Sequence, residues 1–278
     1  MRDTASMRVV PPDACSLSDA LSSAGFVQDL IALATHRAVG VIWLRLELTE
    51  TDPPLRDELP APRRHADVLY RPSALGEHDA AAVDHSSVFF TCASIPFEEI
   101  IPRWCEAHGR LQAAINMILG LRYAPARYVE NNLLTAVGAA EVLHRGLRTD
   151  ERPMPADEFK SMREAMLEHV PEEHVDRFKG AIRNDPTLRD RLCALAARPD
   201  PEAIAQLVPD VDRWVRRTTR ARNDLAHEGR TPDHSIEELV AVVKVTTAVV
   251  ILNVLHDLGC PPSDNARSSG INRSSVRR

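Results

Sequence analysis

One short segment of this chain combines residue types suited to phosphate and proton chemistry. It reads Arg213-Trp-Val-Arg-Arg-Thr-Thr-Arg-Ala-Arg-Asn-Asp-Leu-Ala-His227-Glu-Gly, and it places Arg222 five positions before His227. An imidazole gains or loses a proton near neutral pH, so it can act as a general acid or base. A guanidinium is always charged and can hold two phosphate oxygens at once. The pair suits phosphodiester chemistry that needs no metal ion. The alternative is structural: Arg222 pairs with an acid to close a helical bundle, and His227 stabilises the C-terminus of a helix.

The spacing of this pair is weak evidence by itself. With 31 arginines and 11 histidines in 278 residues, about one Arg-x4-His match is expected by chance, and a second one occurs at Arg103 to His108. The contexts differ, because the helix predicted around Arg103 continues through His108. His227 instead lies near a predicted helix end, where Gly229 suits a left-handed residue.

A helical wheel at about 100° per residue divides the segment into two faces. An apolar stripe contains Trp214, Thr218, Ala221 and Leu225. The opposite side carries His227 and four arginines that could bind a phosphate backbone: Arg213, Arg216, Arg217 and Arg220. The alternative is a solvated face whose arginines pair with nearby acids.

Arg222 lies at the margin of the apolar stripe, about 140° around the wheel from His227. One ideal helix cannot aim both side chains at one phosphate. Either the helix ends near His227, which frees the imidazole from the helical geometry, or a second copy of the segment completes the site. The two possibilities are compatible. This mismatch predicts a homodimer whose twofold axis passes near the segment.

The first third of the chain predicts a small α/β region. Approximate 3.6-residue spacing of apolar side chains predicts a helix from Leu17 to His36, which Ser18 can cap. Alternation in VGVIWLRLEL predicts a half-buried strand, and further short strands are expected at Ala66–Tyr70 and Ser87–Cys92.

Helices account for the rest of the predicted structure. A helix capped by Asp210 or Asp212 reaches His227, and a last helix runs from Ser235 to Gly259. The earlier predicted helices cover Phe97–Leu121, a segment from Pro125 to Leu147, and 155–169, 171–183, 186–197 and 200–208.

These elements predict four regions along the chain. A flexible lead-in, 1–16, precedes the α/β region, 17–95, which either packs on the helices after it or is the remnant of a larger N-terminal domain. A helical bundle covers 96–260. The end of the chain, 261–278, is polar and basic, and we expect it to be disordered.

Composition fits a globular protein with a substantial core. The chain is 44% hydrophobic and 27% charged, with a net charge of −6, which excludes disordered and collagen-like classes and argues against a general nucleic-acid coat protein. The apolar run Leu239–Leu255 contains Lys244 and Asn253, so a buried core helix is a better interpretation than a membrane span. No membrane partner is expected.

Other catalytic signatures are absent from the sequence. It contains no P-loop, dinucleotide-binding, HExxH or GxSxG motif, and its histidines form no metal-ligand pattern. We therefore expect no metal and no cofactor. The five cysteines form no CxxC pair, and the first residues lack an apolar signal segment, so a cytoplasmic location is expected.

The motif in its context resembles a known family. Arg-Asn-Asp-Leu-Ala-His at 222–227, with a basic helix before it and an apolar helix after it, resembles the Rx4–6H motif of the HEPN superfamily. The stretch RWCEAHGRLQAAINMILGLRYAPARYVENNLLTAVGAAEVLHRGLR at 103–148 is similar to the opening helices of the ApeA-like branch. Members of that branch resemble abortive-infection proteins of bacterial phage defence.

The resemblance implies a mainly α protein, a HEPN-like helical bundle behind a small α/β N-terminal region. It implies a metal-independent endoribonuclease in phage defence or a toxin role, acting on RNA as a homodimer. Arg222 and His227 match the catalytic pair, and Asn223 matches the polar position after the arginine. Glu141 and Asp224 are auxiliary candidates, and the four arginines of the basic face are expected to hold the RNA backbone: Arg213, Arg216, Arg217 and Arg220. The alternative is a non-catalytic helical module that dimerises or binds nucleotide or RNA.

Overall fold

The computed structural model describes residues 6–51, 63–69, 88–147 and 152–261. Within these ranges the protein is mainly helical, as predicted, with nine α-helices and a two-stranded sheet. The elements are α1 (Leu17–Thr35), β1 (Leu44–Thr51), β2 (Arg63–Val68), α2 (Phe97–Tyr123), α3 (Val129–Gly146), α4 (Ala156–Leu167), a 3₁₀ turn (Glu172–His174), α5 (Val175–Ala181), α6 (Leu188–Ala197), α7 (Pro201–Leu207), α8 (Val211–Glu228) and α9 (Ile236–Asp257).

The N-terminal part begins with α1, whose cap differs from the predicted one. The Ser16 hydroxyl accepts a hydrogen bond from the Asp19 backbone N–H, and the Asp19 side chain accepts one from the Ser16 backbone. The prediction of Ser18 as the N-cap was wrong, because this reciprocal capping box requires a serine three positions before the acid.

The sheet contains two of the three predicted strands. β1 and β2 pair antiparallel, with Leu44 opposite Val68 and Leu46 opposite Ala66. The third prediction was wrong for the described residues 88–92, which form no strand. Phe89 and Phe90 are both buried, so the alternation of a half-buried strand is lost there. The Phe89 N–H donates to the carbonyl of Ala34 at the end of α1.

The core of the bundle lies between α2, α3 and α9. Trp104 on α2 is fully buried, and its indole N–H donates to the Phe26 carbonyl, which ties α1 to the bundle. Helix α3 begins later than Pro125, because the Asn132 amide bonds both the N–H and the carbonyl of Ala126. These bonds hold the chain before Val129 in a loop.

Helix α9 is the central apolar helix of the bundle. By length and composition it would suit a membrane span, and 61% of its apolar window is buried inside the protein. Its buried Asn253 donates to the Leu195 and Val249 carbonyls. Near its end, the Asp257 carboxylate binds Arg110 at 2.6 Å and Arg198 at 2.7 Å. This carboxylate therefore links α2, α6 and α9.

The remaining predicted helices form close to their expected positions. The four short ones between α3 and α8 correspond to α4, α5, α6 and α7. Most of the tail predicted to be disordered, 262–278, lies outside the described residues, as do residues 1–5 of the lead-in. The described residues 6–15 form no helix or strand.

Candidate active site

Helix α8 carries the predicted catalytic segment. The Asp210 side chain accepts a hydrogen bond from the Arg213 backbone N–H at 2.8 Å, so Asp210 is the N-cap. Asp212 lies inside the helix instead, 3.6 Å from Arg189. Gly229 has a φ of 69° and ends the helix in the left-handed region, as predicted.

The apolar stripe fixes the rotation of α8 against the bundle. Trp214, Thr218 and Ala221 are buried, and Leu225 packs beside them. The Trp214 indole N–H donates to the Thr246 hydroxyl on α9 at 3.3 Å. The stripe is continuous along the helix, so the orientation of every other side chain on α8 follows from it.

Arg222 lies at the rim of this buried stripe and is bound on two sides. Its Nη2 lies 3.5 Å from Glu141 Oε1 on α3, and its Nη1 donates to Asn223 Oδ1 at 3.2 Å. The Arg222 side chain is 35% exposed and that of Glu141 is 20% exposed. Arg145, one turn further along α3, approaches Glu141 at 3.9 Å. The guanidinium is therefore held in place while part of it faces solvent.

His227 is exposed in the last turn of α8. It forms no hydrogen bond or ion pair with any other residue that the structure describes. The helix is regular through both Arg222 and His227, so the end at Gly229 does not remove their separation of about 140°. Asn223 contacts Arg222 rather than the imidazole. One protomer alone does not bring the predicted pair together.

The four arginines predicted to share one face fall into two groups. Arg217 binds Glu238 at 3.0 Å, and Arg220 binds Asp233 and lies 3.6 Å from Asp224. Arg213 and Arg216 are exposed and form no ion pair within the described ranges. Arg217 and Arg220 therefore hold the α8–α9 connection, whereas Arg213 and Arg216 present unpaired charges to solvent.

The sequence reasoning missed three charged residues of this region: Arg145, Asp233 and Glu238. Arg145 lies one helical turn after Glu141, and that spacing was a signal for it. Asp233 and Glu238 approach α8 only because the α8–α9 connection folds back along it, and no local pattern indicates that contact. No group of three or more metal-ligating side chains occurs among the described residues.

Two family models match the chain. Residues 134–264 match the model described as Apea-like HEPN, and residues 1–104 match the model described as ApeA N-terminal domain 1. The chain is an ApeA-like HEPN protein. The match to the HEPN domain includes Glu141, Arg222 and His227, and it leaves out the second Arg-x4-His sequence at 103–108. No curated protein and no solved structure matches the chain.

The two matches divide the helices of this HEPN protein. α3 after its first turn, and α4 to α9, lie in the HEPN match, whereas α1, β1, β2 and the first turns of α2 lie in the N-terminal match. The rest of α2 lies between the two matches. Glu141 on α3 and Arg222 on α8 meet inside the HEPN domain, so its tertiary packing positions the arginine.

Proposed function

We propose that this ApeA-like HEPN protein is a metal-independent endoribonuclease that acts in bacterial phage defence by abortive infection, or as a toxin. RNA is its substrate, and a cytoplasmic homodimer is its working form. His227 is the general acid–base group, and Arg222 stabilises charge on the phosphate. Family membership supports a role in defence, and the chemistry of the two side chains supports RNA cleavage.

The reaction uses the 2′-hydroxyl of RNA as the nucleophile. The neutral His227 imidazole takes the 2′ proton as the oxygen attacks phosphorus, and the imidazolium formed in this way gives that proton to the departing 5′ oxygen. The guanidinium binds the phosphorane oxygens, where negative charge increases in the transition state. DNA lacks the 2′-hydroxyl and is inert to this mechanism.

The observation that carries the proposal is the arrangement on α8. An exposed imidazole with no partner among the described residues lies on the same helix as a guanidinium held by Glu141 and Asn223. The ion pair with Glu141 orients the Arg222 guanidinium, which lowers the entropic cost of using it, and phosphate then replaces part of that contact. A second protomer can supply the group that the first cannot aim at the same point.

One observation favours the alternative of a non-catalytic module. The ion pair between Arg222 and Glu141 joins α8 to α3, so this arginine also closes the bundle. In that case the HEPN domain binds RNA or dimerises without cleaving anything. Binding of RNA without cleavage by the wild-type protein would support this second function.

The test is RNA cleavage by purified protein in the presence of EDTA. We expect wild-type protein to cleave total RNA, and we expect Arg222→Ala or His227→Ala to reduce cleavage by about 100-fold or more, because each removes a reacting group. His174→Ala, which changes another exposed histidine of the same domain, is the matched control. Full activity in either site variant, or complete loss of wild-type activity on chelation, would overturn the proposal.

A further inference from the structure

Arg127 and Tyr128 form an exposed aromatic–arginine pair in the loop between α2 and α3. The Arg127 guanidinium carbon lies 5.9 Å from the centre of the Tyr128 ring, within the range of a cation–π contact. Of the aromatic residues that the structure describes, Tyr128 is the most exposed, at 64%. Arg127 is exposed as well, and it forms no ion pair within the described part of the chain. A planar ring and an unpaired cation therefore lie side by side in solvent.

The loop that carries this pair is held in place on both sides. The Asn132 side chain accepts a hydrogen bond from the Ala126 N–H at 2.8 Å and donates one to the Ala126 carbonyl at 3.0 Å. Pro125, directly before Ala126, restricts the backbone further. At the end of α2, the Tyr123 hydroxyl accepts a hydrogen bond from the Gln28 amide at 3.1 Å. A loop that is ordered in this way loses little conformational entropy when it binds a ligand.

This loop lies at the same end of the bundle as the last turns of α8. Val129, in the first turn of α3, and Leu225, on α8, pack against one apolar cluster. The buried members of that cluster come from α3, α8 and α9: Leu133, Val137, Ala221, Leu239 and Val242. His227 follows Leu225 by two residues. The aromatic–arginine pair therefore lies at the end of the bundle that carries the candidate active site.

One open face of α3 leads from this pair to the residue that holds Arg222. Positions three and four apart share a helix face, and on α3 this face contains Asn131, Leu134, Gly138, Glu141 and Arg145. The first two of these residues and the last are exposed. Glu141, which lies 3.5 Å from Arg222, is separated from Tyr128 by about 20 Å along the helix axis. A short run of unpaired nucleotides can span that distance.

We propose that Tyr128 and Arg127 bind an unpaired base of the RNA substrate, with the base stacked on the tyrosine ring and the guanidinium beside a neighbouring phosphate. This rests on the endoribonuclease function proposed above and narrows its substrate class to single-stranded RNA. Bases inside an RNA duplex stack on one another, so only an unpaired base can lie on an exposed side-chain ring. The unpaired charge of Arg127 favours a polyanion over an apolar protein segment as the occupant.

A second aromatic–arginine pair, in the N-terminal region, provides a matched control. The Arg45 guanidinium lies 5.7 Å from the Trp43 ring, and Trp43 is 56% exposed. Arg45 already binds the Asp67 carboxylate at 2.8 Å, so its charge is not available for phosphate. We therefore expect RNA binding to depend on Tyr128 and not on Trp43, although both rings are exposed beside an arginine.

Binding of short RNA oligomers, measured by fluorescence anisotropy in the His227→Ala background, tests the contact without cleavage. We expect Tyr128→Ala to weaken binding of an unpaired oligomer by about fivefold to 100-fold, because one base–aromatic stack is lost. Tyr128→Phe, which keeps the ring, and Trp43→Ala should retain the affinity. Tyr128→Ala should leave the affinity for a blunt RNA duplex unchanged. Equal losses for single strand and duplex, no loss, or no binding of the unpaired oligomer would overturn the proposal.

Removal of single bases from the oligomer shows whether the tyrosine contacts a base directly. At one position, an abasic nucleotide should cost as much affinity as Tyr128→Ala does, and the two changes together should cost no more than either alone. A tyrosine that only supports the fold would give additive losses at every position, which would overturn the proposal. Coupling of this kind without any cleavage by wild-type protein would contradict only the endoribonuclease function, whereas cleavage without coupling would contradict only the base contact.

Discussion

At the scale of single residues, the arginines of α8 have different partners despite their common face. Arg217 and Arg220 contact the acids Glu238, Asp233 and Asp224, whereas Arg213 and Arg216 are exposed without an ion pair in the described part of the chain. A cation already bound to a carboxylate must give up that contact before it can bind phosphate. The free cations should therefore contribute more than the paired ones to the proposed RNA binding.

This difference gives a prediction with a built-in control. We expect Arg213→Glu with Arg216→Glu to weaken RNA binding broadly and to lower the salt dependence of the affinity, because fewer counterions are released. Arg217→Glu with Arg220→Glu changes the same net charge, but it should mainly lower thermal stability, since it places acids against Asp233 and Glu238. Fluorescence anisotropy at several salt concentrations and thermal denaturation separate the two effects. Equal losses of RNA affinity in both double variants would contradict this distinction between paired and unpaired arginines.

At the scale of elements, the end of α1 depends on an unusual histidine. His36 adopts a left-handed φ of 51°, stacks on Phe89 with ring centroids 5.0 Å apart, and lies beside the Arg122 guanidinium of α2. Burial, and secondarily the charge of Arg122, lowers the pKa of His36 from 6.5 to about 3. The imidazole is therefore neutral in the folded protein at physiological pH.

The neutral His36 makes the stability of the protein depend on pH. As the pH falls from 6.5 toward 3, His36 binds a proton in the unfolded state but not in the folded state, so the free energy of unfolding decreases. The contribution is at most about 1.4 kcal/mol per pH unit. We expect His36→Asn, which tolerates the left-handed backbone, to flatten this part of the profile.

Denaturant unfolding of both proteins at several pH values measures the effect. Burial raises the pKa of Asp29 beside His108, and this shift makes the free energy of unfolding increase as the pH falls, opposite to the effect of His36. Burial also lowers the pKa of His256, and this shift acts in the same direction as that of His36. Both groups are present in wild-type and variant protein, so the difference between the two profiles isolates His36. Parallel profiles would show that His36 titrates normally.

At the scale of the whole molecule, the separation of Arg222 and His227 predicts an active site shared between two protomers. If each site takes Arg222 from one chain and His227 from the other, a mixture of Arg222→Ala and His227→Ala proteins should recover up to about one quarter of wild-type activity. The estimate assumes random pairing and one intact site in each mixed dimer. Each variant alone, at the same total concentration, is the control, and RNA cleavage is the measurement. An active monomer at nanomolar concentration would contradict the shared site.

Much of the fold could be predicted because its signals are local. Capping residues such as Asp210 and Ser235, and the left-handed Gly229, act on backbone groups within one helical turn, so the limits of α8 and α9 were close to correct. The buried stripe of α8 followed from the 3.6-residue period. The motif at 222–227 then indicated which part of α8 carries the candidate site.

What only the tertiary structure decided depends on residues far apart in the chain. Arg222 and Glu141 are distant in sequence, and their contact exists because α3 and α8 pack together. The loss of the third strand has the same origin, since Phe89 bonds the end of α1 and turns both phenyl rings inward. Side-chain spacing determines what a segment can bury or bind. Packing between segments determines which of those groups meet, because it fixes their distances.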